Sequence, residues 1–86
     1  MNRPKLPYKL VLVRWEDSEQ PISAWQWIDN YEVPEIVECV SVGYLIAETK
    51  NAVALAPNIG DIKRNRGQAS GIIRIPRAAI RGMLSL

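Results

Sequence analysis

The side chains best suited to chemistry in this sequence are cationic. Lys63, Arg64 and Arg66 stand in a glycine-flanked stretch, "GDIKRNRGQASG" (residues 60–71), and Arg74, Arg77 and Arg81 follow it. If these six converge, they make a phosphate-binding face. A guanidinium grips two phosphate oxygens at once, and each cation that neutralises a phosphate on a nucleic acid releases a condensed counterion. Such a face would suit a nucleic-acid backbone or a small phosphorylated ligand. The stretch has no aromatic residue on which a base could stack. It matches neither the dinucleotide nor the P-loop fingerprint. Backbone contact, without reading of base sequence, is therefore the chemistry to expect if the stretch is functional. The other reading is a solvated polar connection between elements.

Most enzymatic chemistries lack their residues. There is no histidine, which removes the commonest general base and metal ligand. The one cysteine, Cys39, cannot build a thiolate zinc site and excludes an internal disulfide. It lies in a strand-like run with no adjacent cation to favour a thiolate, so a small buried hydrophobe is expected. Glu16, Asp17 and Glu19 are close enough in sequence to hold Mg²⁺, but a solvated acidic loop needs no metal. No catalytic residue, metal or cofactor is expected, and the chain is read as a non-enzyme.

Binding is the remaining class, and the aromatic residues supply a second candidate site. Three tryptophans and no phenylalanine is an unusual choice for so short a chain. Trp15 continues the Val11–Val13 face and is expected in the core. Trp25 and Trp27 alternate with polar residues in an acidic segment, among Asp29, Glu32 and Glu35. They either fill the core or stand exposed as a protein-binding patch with Tyr31 and Glu32, suited to a basic partner.

The bulk numbers bound the architecture. Eighty-six residues, 48 % hydrophobic and 23 % charged, make one folded domain spanning 1–86, with a thin core. No apolar run approaches the roughly 18 residues of a membrane span, and Leu10 to Val13 is too short for a signal-peptide core. The expectation is a cytoplasmic protein with no membrane contact. The net charge of +2 conceals segregation: residues 1–14 sum to +4, residues 15–48 to −8 and residues 49–86 to +6. These blocks either neutralise one another across the surface or make a two-faced molecule that steers a charged partner or its own copies.

The elements that must position these groups are mostly strands. "KLVLVRW" (9–15) alternates with period two. "IVECVSVGYLIAET" (36–49) is the strongest strand, interrupted at Gly43 by a bulge or bend. "TKN" (49–51) turns the chain into "AVALAP" (52–57), making a hairpin. "GIIRI" (71–75), a proline-led 3₁₀ turn at "PRAAI" and "IRGMLSL" (80–86) complete the set. Between the first two strands, Pro21 predicts the start of a helical turn over Ile22, Trp25 and Ile28, stopped by Asp29 and Asn30. Five short strands with this order predict an all-β, small, SH3-like or Sm-like five-stranded barrel with a short 3₁₀ or helical turn. In the long strand, Val40, Val42, Tyr44 and Ile46 share one parity; Val37, Cys39, Ser41, Gly43 and Leu45 share the other. Both rows are largely apolar. Something must cover the outer one: a homo-oligomer, the tryptophan segment folded back, or a partner.

Three pieces of the chain, "VRWEDS", "SVGYLIAET" and "IPRAAI", resemble short accessory proteins of tailed phages and prophages. The matching positions are Trp15 and Asp17, Ser41 to Leu45, and Ile75, Pro76 and Ile80. The resemblance runs from about residue 11 to the end. Its motif residues are structural in type, so it transfers context and no site residue. It implies an accessory protein in the cytoplasm of an infected bacterium that binds and inhibits or sequesters a host factor. Nucleic-acid or nucleotide-phosphate binding through the arginine-rich face is the alternative, and a structural component of the virion is a third option.

Overall fold

The computed structural model describes residues 8–18, 21, 23–32, 34–62 and 66–86. Seven strands follow in chain order: β1 (Leu10–Asp17), β2 (Val37–Glu48), β3 (Ala52–Ala56), β4 (Asn58–Gly60), β5 (Gln68–Ser70), β6 (Ile73–Pro76) and β7 (Ile80–Ser85). Two 3₁₀ turns, Ile28–Asn30 and Arg77–Ala79, complete the described elements. The protein is all-β. Five strands form one antiparallel sheet in the order β6-β3-β2-β1-β7, and β4 pairs with β5 alone.

Alternation in β1 sets the two sides of the sheet. Val11 and Val13 are buried, while Arg14 between its neighbours is exposed. Val13 sits opposite Ser41 of β2 and Met83 of β7, so β1 is the central plank of this half. The β2–β3 connection is a tight turn held by one hydroxyl. Thr49 Oγ1 accepts from the backbone N–H of Asn51 at 3.2 Å and of Ala52 at 3.1 Å. This local side-chain bond is what makes threonine a turn residue.

The sheet is curled. Val11 and Val13 of β1 share one buried cluster with Val53 and Leu55 of β3 and Ile75 of β6. In a flat sheet β1 and β6, three strand spacings apart, would lie about 14 Å from each other. They can share a cluster only if the sheet folds towards itself. Trp15, Leu45, Ile73 and Ile80 pack around the cluster. Two register shifts supply curvature, one in β2 between Leu45 and Ala47 and one where Arg14 and Trp15 meet Gly82 and Ile80 of β7. The edge strands β6 and β7 do not pair with each other.

Gly43 has a different role from the bulge expected there. A Cβ on it would stand 3.1 Å from the Ala56 carbonyl oxygen and 3.3 Å from the Ala56 nitrogen. Backbone lies close to backbone at this point, and a Cβ would have to push it back by a few tenths of an ångström. The irregularity itself falls a few residues later, at Leu45–Ala47.

Part of the segment expected as a loop or solvated connection, 60–71, is strand: Gly60 ends β4 and Gln68–Ser70 form β5. Leu55 pairs with Ile73 and Asn58 with Ser70, so β3–β4 and β5–β6 keep a single register. The ladder breaks between them where Pro57 has no N–H to donate and Gly71 turns through φ +74°. A Cβ on Gly71 would come within 3.0 Å of the Pro57 ring. The turn end includes Asp61, at φ 53°. Lys63 and Arg64 lie outside the described residues.

Two substitutions test this packing by urea unfolding. Gly43→Ala is expected to destabilise by about 1–3 kcal/mol, the usual cost of overpacking. Leu55→Ala, which empties part of the shared cluster, is expected to cost about 2–5 kcal/mol. Values near zero for both would mean that β2, β3 and β6 are not clamped together.

Candidate functional site

The described residues of the connection from β1 to β2 (18, 21, 23–32 and 34–36), here called the arm, are all exposed. The short 3₁₀ turn at Ile28–Asn30 is closed by Asn30 N–H to Trp27 O at 3.2 Å and Tyr31 N–H to Ile28 O at 3.1 Å. No side chain caps it, and both flanking residues return at once to extended backbone. A single turn without a cap or an apolar face against the sheet has no reason to lengthen. The turn expected to start at Pro21 and stop at Asp29 therefore forms later and uses Asp29 and Asn30 as its own residues. Ile22 lies outside the described residues.

Trp25 is 100 % exposed, Trp27 82 % and Tyr31 63 %. The two tryptophans, for which core and surface were both open, are on the surface. Ile28, 90 % exposed, and Ile36 extend the apolar surface and were not singled out from sequence. Their signal is visible in retrospect: isoleucines spaced among acids and prolines with no strand period to bury them. Gln26, Trp27, Ile28, Tyr31, Glu32 and Pro34 line an open cleft of about 490 Å³. Glu32 lines it, Asp29 and Glu35 are exposed on the same segment, and no ion pair to the three occurs among the described residues. The arm thus offers an apolar surface rimmed with uncompensated negative charge. Its chemistry matches a partner carrying an apolar projection with cations beside it.

Trp15 behaves differently from the arm tryptophans. It packs against the core cluster, and its indole N–H donates to Ser41 Oγ at 3.0 Å. Cys39, its cross-strand neighbour, is half-buried, and its thiol donates to Val37 O at 3.7 Å.

The arginine set divides. Arg77 donates from Nε to Thr49 O at 2.6 Å and from a terminal nitrogen to Glu48 Oε2 at 2.8 Å. Its backbone N–H also donates to Asn51 O at 2.9 Å, so Arg77 straps the second 3₁₀ turn to the β2–β3 turn. Arg81 pairs with Glu16 at 2.7 Å and donates to the carbonyls of Ala78 and Ile80. These two side chains hold the fold, each to an acid from the negative block. Arg66 and Arg74 are exposed on different elements, beside β5 and in β6. Among the described residues the basic set is not gathered into one free face. Of the acidic trio, Glu16 is taken by Arg81, Asp17 accepts the Ser18 N–H at 2.8 Å, and Glu19 is outside the described residues.

The outer side of β7-β1-β2 carries an exposed apolar row beside Arg14, whose guanidinium lies over Gly82. Leu12 is flanked by Val42 and Leu84, both more than half exposed, and Val40 follows in the next row. No described residue of the connection between β1 and β2 is buried against it. No helix among the described residues is long and apolar enough to cross a membrane. No protein-family model, curated protein or solved structure matches the chain.

Two measurements follow from these placements. Steady-state acrylamide quenching is expected to remove most tryptophan emission in the native chain. The variant carrying Trp25→Phe and Trp27→Phe should keep blue-shifted emission from Trp15 that resists quenching; efficient quenching there would place Trp15 at the surface. Arg77→Ala is expected to lower stability by about 1–2 kcal/mol, since its charge-assisted bonds are partly exposed. A thermal unfolding curve unchanged by Arg77→Ala would remove the strap.

Proposed function

We propose that the chain is a non-enzymatic binding module, built as a small SH3-like barrel, whose acidic aromatic arm grips another protein. Following the resemblance to accessory proteins of tailed phages and prophages, that protein is a host factor in the infected bacterium. The module acts by occupying or sequestering it in the cytoplasm. The observation that carries the reading is the exposure of Trp25 and Trp27 together on one short arm. A soluble chain seldom gathers large aromatic and aliphatic side chains in water unless a partner covers them. Tryptophan and tyrosine are also the side chains that most often dominate interface energetics.

The barrel assignment draws on a bent second strand, a tight hairpin and a single 3₁₀ turn before the last strand. The curl that brings β1 and β6 to one cluster supports it further. Trp25, Trp27 and Tyr31 would enter an apolar recess on the partner, with Glu32 meeting a cation at its rim. Nucleic-acid binding stands behind this reading, because Arg77 and Arg81 are already engaged by Glu48 and Glu16.

Affinity capture from host lysate with the purified chain tests the proposal. One dominant protein is expected, and its binding to the purified chain should weaken at least about 30-fold with Trp27→Ala, the loss typical of an interface hot spot. Capture that survives both Trp25→Ala and Trp27→Ala would overturn the arm as the binding element. Recovery of nucleic acid instead, with affinity falling steeply as salt rises, would favour the phosphate-binding reading.

A further inference from the structure

We propose that the free edge of β7 is a self-association surface, on which β7 of a second copy pairs antiparallel about a two-fold axis. The sheet has two edges, and they are defended unequally. β6 is four residues long, carries Arg74 and ends in Pro76, which has no N–H to offer. Short length, an edge charge and proline are the devices that keep an edge from pairing. β7 is six residues long, and its only charge, Arg81, sits near its start and is turned away to Glu16. From Gly82 to Leu86 the chain reads "GMLSL", with neither charge nor proline.

The backbone groups of β7 point the right way. Leu86 N–H donates to Leu10 O at 2.9 Å, so residue 86 faces β1. Antiparallel ladders alternate, so Leu84 and Gly82 also face β1, opposite Leu12 and Arg14. The N–H and C=O of Met83 and Ser85 therefore face the open edge, where no described strand meets them. An antiparallel copy centred on Met83 sets Met83 against its twin and Ser85 against Arg81 of the second copy. The two Arg81 side chains then lie apart, each with its own Glu16.

The second copy fits better than an unrelated strand for one reason. A two-fold contact needs a surface complementary to itself, and a short neutral strand with its amides on the open side meets that condition without further design. Met83, Leu84 and Leu86, each more than two-fifths exposed, lie on or beside this edge. Pairing would continue the uncovered apolar side of β7-β1-β2 from one copy into the next. A single strand pair buries less than the roughly 800 Å² per partner of a standard interface, so association is expected in the micromolar range.

Sedimentation equilibrium across about 10–500 µM tests the inference. The native chain should pass from 9.7 kDa towards twice that mass. Met83→Pro deletes an N–H that β1 does not use, so it should leave the circular dichroism spectrum intact and hold the mass at 9.7 kDa. Met83→Lys, which adds an edge charge and keeps the backbone, decides the matter if the proline variant does not fold. A native chain that stays at 9.7 kDa throughout overturns the inference. So does a dimer that survives the substitutions. Growth beyond twice the monomer mass would mean open or ring-like pairing of β7 with β6, and would overturn it as well.

Discussion

The structure depends on one close approach, where the backbone of β2 at Gly43 meets the backbone of β3 at Ala56. With no side chain there the strands pack closely, and Val11 and Val13 of β1 join Val53, Leu55 and Ile75 in one buried cluster. The five side chains of that cluster are the main buried apolar mass among the described residues. With so few, the second 3₁₀ turn has to be tied down by polar means, and Arg77 does so through Thr49 and Glu48.

A core this small covers only one side of the sheet. The long strands are apolar on both sides, so the curl that buries Val13 and Leu55 leaves Val40, Val42 and Leu84 facing outward. The same economy leaves the arm without a surface to rest on. Exposed apolar groups are costly in water, and they are retained here in two separate places: an acidic aromatic arm and a sheet face with an open edge. They differ in charge and in shape, which is why they are assigned different occupants.

The charge blocks along the chain find a partial resolution in space. Arg77 and Arg81, from the basic C-terminal block, each meet an acid of the negative block. Those pairs engage two of the four described arginines of the basic set. Asp29, Glu32 and Glu35 have no such cation beside them among the described residues, so the negative charge that remains is concentrated around the arm's aromatic side chains. Electrostatics therefore sharpens the arm while it consumes half of the arginines that looked most suited to chemistry among those described.

Much of this was legible in the chain. Period-two alternation in 9–15 and 36–49, the turn at Thr49–Asn51 and the proline-led 3₁₀ turn after Ile75 all follow from local stereochemistry, and the structure has each of them. Trp15, expected in the core by parity, is half-buried and packs against it. The extra ladder of β4 and β5 was hidden, because glycines and cations look like loop while register is inherited from a distant hairpin. The later position of the turn at Ile28–Asn30 was hidden too, since an isolated turn has weak local preference. What the sequence determined by itself was the all-β class and the excess of apolar residues over what so short a chain can bury. Only the tertiary structure decided which of them stay in water and which arginines are spent on holding the fold. Both outcomes depend on how far the sheet curls, and that is set by contacts between residues far apart in the chain.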